Sequence, residues 1–315
     1  MPKISIESKS IAFGFNHLYL VFEDNVGNEF VIRGGPENSE LFDSLDAFDP
    51  LNPPNPIDLV DAFDFGNLIT EVNVPIGQSS DARGSETITD RGSRELDLGG
   101  RRAEDVWEIM KQQATNIQNS AIDYEPLISA QNSNSTIASV LNSVGISLVP
   151  NIPLNTETKA LPGIDNLLSI DSTLVGTPAD DIIWGYEGND ILLGGDGNDV
   201  IDGQEGNDVL KGNAGNDILR AGFGLDDLTG GEGNDIFGFY AQGHYQIKDF
   251  NLAEDRIFFD SAQTGFNNIN DVNKMITAVN QSGNSVKVEF GTSASIDLIG
   301  INFADLTTDM VGFTV

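Results

Sequence analysis

Residues 185–220 read GYEGNDILL GGDGNDVID GQEGNDVLK GNAGNDILR, four nine-residue units that repeat Gly-Asn-Asp and an apolar residue at fixed places. Extended outward, the register gives unit starts at Gly176, Gly185, Gly194, Gly203, Gly212, Ala221 and Gly230, seven nonads across 176–238. Position six is aspartate in every unit: Asp181, Asp190, Asp199, Asp208, Asp217, Asp226 and Asp235. Position eight is always apolar: Ile183, Leu192, Ile201, Leu210, Leu219, Leu228 and Phe237. Positions one and four are glycine in six units each, with Ala221 and Ala179 as the exceptions.

Each column has a physical reading. Glycine turns take positive φ and direct peptide oxygens inward, so they offer acceptors. Three residues such as VID then form a short strand, and one nonad alone has nothing to pack it against. Stacking is therefore obligatory. If two nonads make one turn of a right-handed parallel coil, unit n lies over unit n+2 at about 4.8 Å, with the position-eight residues as an internal ladder. The aspartates are then expected on the outside of each turn, about one strand spacing apart, between inward peptide oxygens. Bare charges repel in that arrangement, whereas an ion taking six to eight oxygens is well served, which favours calcium over the stricter, octahedral magnesium. The expected ligands are the seven aspartates together with Gly188, Gly194, Gly197, Gly203, Gly206, Gly212 and Gly215.

The charge count agrees. Residues 176–238 hold 14 acidic and 2 basic side chains, a net of −12, and pairing n with n+2 among seven units allows at most five sites. Without ions, repulsion and glycine entropy are expected to keep the segment unfolded; with them it closes. The spacing does not fit an EF-hand, which needs alternating ligands, a terminal glutamate and flanking helices.

The whole chain of 315 residues carries 49 acidic and 16 basic residues, a formal charge of −33, which disfavours nucleic acid and anionic membranes as partners. Having no cysteine and two histidines, it lacks thiolate sites and favours hard, oxygen-seeking ions. No apolar run approaches the roughly 18 residues of a membrane span. The N-terminus is not expected to be a cleaved secretory signal, because Asn16 and His17 interrupt its apolar stretch.

Composition divides the chain into a mixed α/β domain over 1–165, a linker over 166–175, the repeats over 176–238 and a β-rich cap over 239–315. In the first domain, IAFGFNHLYLVF (11–22) and EFVIR (29–33) read as strands joined by the turn DNVGN. AEDVWEIMKQQATNIQNSA (103–121) and STIASVLNSVG (135–145) carry apolar residues at helical spacing, and Gly145 is placed to end the second helix.

The repeats resemble the RTX (repeats-in-toxin) calcium-binding nonapeptide, and the seven consecutive nonads make the likeness specific. The resemblance implies a parallel β-roll, calcium-triggered folding outside the cell, and export by a type I secretion apparatus through an uncleaved C-terminal signal. DFNLAEDRIFF (249–259) and DMVGFTV (309–315) are similar to that family's cap and export signal. Two units depart from the pattern and are expected to hold ions less fully: the first has Pro178 and Ala179, and AGFGLDDLT (221–229) has Ala221 and Asp227.

A second likeness concerns the first domain. His17 on an early strand, followed by NSN at the start of a helix near Ser133, resembles the permuted papain-like hydrolases of the PPPDE and desumoylating isopeptidase type, with serine where their cysteine stands. That likeness implies an amide or ester hydrolase with His17 as base and Ser133 as nucleophile at a helix N-terminus. The purely structural alternative is an interior strand histidine, with Ser133, Asn134 or Ser135 capping the helix. No HExxH helix or GxSxG elbow is present, and His244 reads as a surface or cap residue.

Overall fold

A computed structural model describes residues 1–10, 16–36, 68–78, 92–122, 132–153, 167–240 and 242–314. The chain divides into two compact units, Met1–Leu168 and Ser169–Val315.

The first unit is built on an antiparallel sheet. Its strands are β1 (Lys3–Ser10), β2 (Asn16–Glu23), β3 (Glu29–Pro36), β4 (Leu68–Pro75) and β5 (Gly92–Glu95), in the order β4-β3-β2-β1-β5. The β2–β3 turn closes as its sequence requires: Asp24 Oδ1 accepts from the N–H groups of Val26 and Asn28, and Gly27 takes φ 87°. Both faces of β2 are covered. Leu18, Leu20 and Phe22 alternate onto one face, where Phe22 stacks on Trp107 with ring centroids 5.6 Å apart. Tyr19 and Val21 alternate onto the other, packed with Val31, Val74 and Ile76.

Trp107 lies on α1 (Ala103–Asn119), which buries Val106, Ile109, Met110, Gln113 and Ile117 as the helical period predicts. The second helix, α2 (Ser133–Asn142), buries Ile137, Val140 and Leu141. Gly145 ends it at φ 71°, and the Ile146 N–H reaches back to the Leu141 carbonyl.

The second unit is a parallel β-solenoid of about five turns. Its first strands are β6 (Thr173–Val175), β7 (Ile182–Glu187), β8 (Ile191–Asp196), β9 (Val200–Glu205), β10 (Val209–Ala214), β11 (Ile218–Arg220), β12 (Leu225–Glu232) and β13 (Ile236–Phe239). Every parallel pairing among them joins residues 18 apart, two nonads, so even- and odd-numbered strands build separate sheets. Position eight forms the interior: Leu174, Leu192, Leu210 and Leu228 stack in one sheet, Ile183, Ile201, Leu219 and Phe237 in the other, all fully buried. Thr173–Val175, within the stretch expected as a linker, already pairs with β8 as a rung of the coil.

The segment after the repeats extends both sheets. It holds β14 (His244–Ile247), β15 (Arg256–Asp260), α3 (Ser261–Thr264), α4 (Ile269–Met275), β16 (Ala278–Ser282), β17 (Ser285–Glu289), β18 (Ser295–Leu298) and β19 (Val311–Thr314). Parallel pairing continues from β12 through β14 to β18, and from β13 through β15 to β19. Ile247, Leu298 and Ile257 therefore prolong the two apolar stacks without any nonad sequence.

Replacing a central rung should be costly. Leu210→Ala is expected to destabilise the folded coil by about 2–5 kcal/mol, read as a lower denaturant midpoint, whereas the exposed Val26→Ala should stay within about 0.5 kcal/mol.

Candidate metal centre

The position-six aspartates are only 0–2% exposed, which corrects the expectation that they line the outside of each turn. Their placement follows from a hydrogen-bond ladder. The N–H of Asp181 donates to Asp199 Oδ1 at 2.8 Å, Asp190 to Asp208 at 2.9 Å, Asp199 to Asp217 at 2.8 Å, Asp208 to Asp226 at 3.0 Å and Asp217 to Asp235 at 3.0 Å. One oxygen of each carboxylate thus pins the coil beneath it. The other is left over. Asp190, Asp199, Asp208, Asp217, Asp226 and Asp235 each bury Oδ2 with no donor among the described residues.

The glycines explain why that oxygen has room. A Cβ on Gly194 would fall on Asp199 Oδ2 and sit 2.7 Å from the Gly212 carbonyl oxygen; at Gly203 it would meet Asp208 Oδ2 and the Ala221 oxygen at 2.8 Å. Position one is therefore glycine for close approach, not for the positive φ expected of it. Positive φ belongs to position four, as at Gly206 (146°), and also to position two, where Tyr186, Gln204 and Asn213 adopt it despite their side chains.

This geometry brings a carboxylate oxygen of one unit beside a peptide oxygen two units on: Asp190 with Gly203, Asp199 with Gly212, Asp208 with Ala221, and Asp217 with Gly230. Among the described residues no three carboxylates or imidazoles converge, so a ligand set here must be completed by peptide oxygens. An acceptor-only cluster of hard oxygens fits calcium and excludes soft-metal chemistry. Of the expected ligands, the structure sets Asp190, Asp199, Asp208 and Asp217 with Gly203 and Gly212 at these junctions, and the Gly194 oxygen near Asp181; Gly188, Gly197, Gly206 and Gly215 direct their carbonyls at Gly206, Gly215, Gly224 and Gly233 of the next coil.

Both ends of the ladder differ from its middle. Asp181 Oδ2 accepts from the Thr177 N–H at 2.6 Å and its hydroxyl at 2.9 Å. At the far end the Asp235 N–H donates to Asp255 Oδ1 at 3.0 Å, and Asp255 Oδ2 accepts from the Asn251 N–H at 2.8 Å. Asp249 receives the N–H groups of Gly230 and Gly231. Sequence reasoning missed Asp249 and Asp255, which stand outside the nonad register, and also a second ladder at position five. There Asn207 donates through its N–H and Nδ2 to Asn189 Oδ1, Asn216 to Asn198 and Asn234 to Asn216, opposite in direction to the aspartates. The asparagine column itself was visible in the repeat.

Burial pushes the Asp199 and Asp208 carboxyls up to about 7 and those of Asp190, Asp226 and Asp235 up to about 6; Asp217 is raised as well.

In the first unit, His17 lies on β2 opposite Lys9, and Ser133 opens α2. The side chains of both lie outside the described residues. Their neighbours are joined: Asn134 Oδ1 accepts from the Leu18 N–H at 3.0 Å. The helix cap is Asn132, which accepts from the N–H groups of Asn134 and Ser135, while Ser135 Oγ receives the Asn132 N–H. His244, on β14, contacts Ser295 Oγ through Nδ1 at 2.9 Å.

Comparison with known proteins agrees with the ladder. A family model described as the RTX calcium-binding nonapeptide repeat, in four copies, matches residues 171–201 and again 202–237. The chain therefore carries RTX calcium-binding repeats. It is similar to two solved subunits of the Azotobacter vinelandii mannuronan C5-epimerase. AlgE6R3 is 28% identical over 44% of this chain and 76% of that one, with a TM-score of 0.25. AlgE6R2 is 26% identical over 44% and 91%, with a TM-score of 0.24. The extracellular lipase LipA from Serratia marcescens is 17% identical over 48% of this chain and 43% of that one, with a TM-score of 0.23. No match is found among curated proteins.

The raised carboxyls set a pH dependence. In the ion-free coil the folded pKa exceeds the unfolded value of 3.8, so these groups favour the fold below that pH and oppose it as pH rises through about 6–7. A divalent ion must displace those protons, so calcium affinity measured by titration calorimetry should fall from pH 7.5 to pH 5.5, with proton uptake on release. Asp208→Asn, which keeps an oxygen for the ladder but removes the charge, should weaken calcium binding about tenfold or more at its junction.

Proposed function

We propose that this is a secreted protein whose repeat unit folds on calcium outside the cell and carries the N-terminal unit as its effector or binding domain. The observation that carries the reading is the column of six buried carboxylate oxygens without donors. A closed coil holding them ionised and bare is strongly disfavoured. Calcium bound at these junctions supplies the positive charge that the peptide cannot. Asp190, Asp199, Asp208 and Asp217, each beside a peptide oxygen of the next coil, are the residues assigned to hold it, within the ceiling of five ions set by seven nonads. Export by a type I apparatus through the C-terminal region follows from the family likeness and suits a chain that is kept unfolded where calcium is scarce.

Circular dichroism of the full chain with chelator and then with millimolar calcium tests this. A cooperative gain of strand signal is expected; an unchanged spectrum would refute it.

A second reading rests on the bond between Leu18 N–H and Asn134, which sets the backbone next to His17 against the start of α2. On this reading Ser133 and His17 hydrolyse an amide or ester. An activity probe such as a fluorophosphonate should label the native chain and not Ser133→Ala; equal labelling of both removes the reading.

A further inference from the structure

The second unit holds a cavity of about 760 Å³ beyond the last complete nonads. Its floor and walls are aromatic. Phe239 packs against Tyr245 and Phe259 at centroid distances of 4.5 and 5.7 Å, and Phe259 meets Phe266 and Phe290 at 5.6 and 5.9 Å. Although 21% of the chain is charged, no charged side chain among the described residues lines this space. The polar groups are neutral: Gln242, Gln263, Thr292 and Ser293 are exposed at the cavity.

The most irregular nonad borders it. In AGFGLDDLT, Phe223 stands at position three, where four other units have Glu or Asp, and it lines the cavity while 49% exposed. Its backbone is nonetheless held by the coil, since its N–H donates to Gln204 O and its carbonyl accepts from Gly206. The coil thus presents a fixed, half-exposed ring at a site where the repeat calls for a carboxylate. Coil packing does not require this, because four other units hold an acidic residue at that position, and Asp196, Glu205 and Glu232 are exposed there.

We propose that this cavity binds a neutral saccharide. Among the described lining residues anions find no cation, within a chain of net charge −33, and cations find no carboxylate. Sugar rings match what remains. Their C–H faces lie on aromatic rings, and their hydroxyls exchange hydrogen bonds with amides and hydroxyls, which both donate and accept. The volume falls within the roughly 300–1,000 Å³ usual for small-molecule sites.

Native affinity electrophoresis of the calcium-loaded full chain tests this, in gels cast with starch, hydroxyethyl cellulose or galactomannan, and with alginate as the acidic control. Retardation is expected in at least one neutral gel, weakened about tenfold or more in Phe223→Ala and Gln263→Ala. Both positions are exposed, and each variant's strand signal with calcium is recorded first, so a failure of calcium folding reads separately from a failure of binding. No retardation in any neutral gel would overturn the proposal, as would equal retardation of both variants or stronger retardation in alginate. Loss of adsorption to octyl-agarose in Phe223→Ala, with sugar-gel mobility unchanged, would assign the cavity to an alkyl chain and overturn it too.

Discussion

A carboxylate oxygen with no donor, repeated at every turn, is the constraint around which the solenoid is arranged. A buried charge must be neutralised by a proton or by a cation, and burying it bare costs several kcal/mol even after relaxation. Protonation is available below about pH 6–7, where burial has raised these groups. Near neutrality the cation is the remaining solution. The same constraint favours glycine at position one, present in six of the seven units, because a Cβ at Gly194 would occupy the place of Asp199 Oδ2; Ala221 is the exception.

The contrast between the middle and the ends of the ladder supports this. Where the column stops, the chain supplies its own donors: Thr177 to Asp181, Asn251 to Asp255, and the N–H groups of Gly230 and Gly231 to Asp249. The middle is short of donors although backbone N–H groups are abundant around it. Those N–H groups are already spent on the other carboxylate oxygen and on the strand pairings. Two oxygens per aspartate against one N–H per rung leaves a remainder of one; at Asp181 the first nonad's own Thr177 covers Oδ2, and Asp255, outside the period, has a donor for each oxygen.

Much of this was legible in the residues. The period of nine and the invariant aspartate gave the stacking of unit n on n+2, and the apolar column gave the interior, because both follow from a strict repeat. The helical stripes of α1 and α2 and the β2–β3 turn were equally open to reading. What could not be read was orientation: a column of charges suggests solvent, and only the second ladder partner of each aspartate shows why it is inside. Position two hid its positive φ because Tyr186 and Gln204 are not turn formers. Asp255 was hidden by its spacing of 20 from Asp235, which breaks the period where the cap takes over.

Irregularity within a repeat is informative in proportion to how tightly each column is bound. Position six cannot vary, since its Oδ1 holds the coil below and its Oδ2 faces the junction. Position three points away from both, and there the seven units hold Pro, Glu, Asp, Glu, Ala, Phe and Glu. A column so loosely constrained by folding can be recruited without cost to the stack. Phe223 follows that logic: Asp226, in the same nonad, keeps its place in the ladder with Oδ2 buried, while Phe223 turns its ring toward the aromatic cavity. One nonad thus serves the solenoid through its sixth residue and the neighbouring cavity through its third.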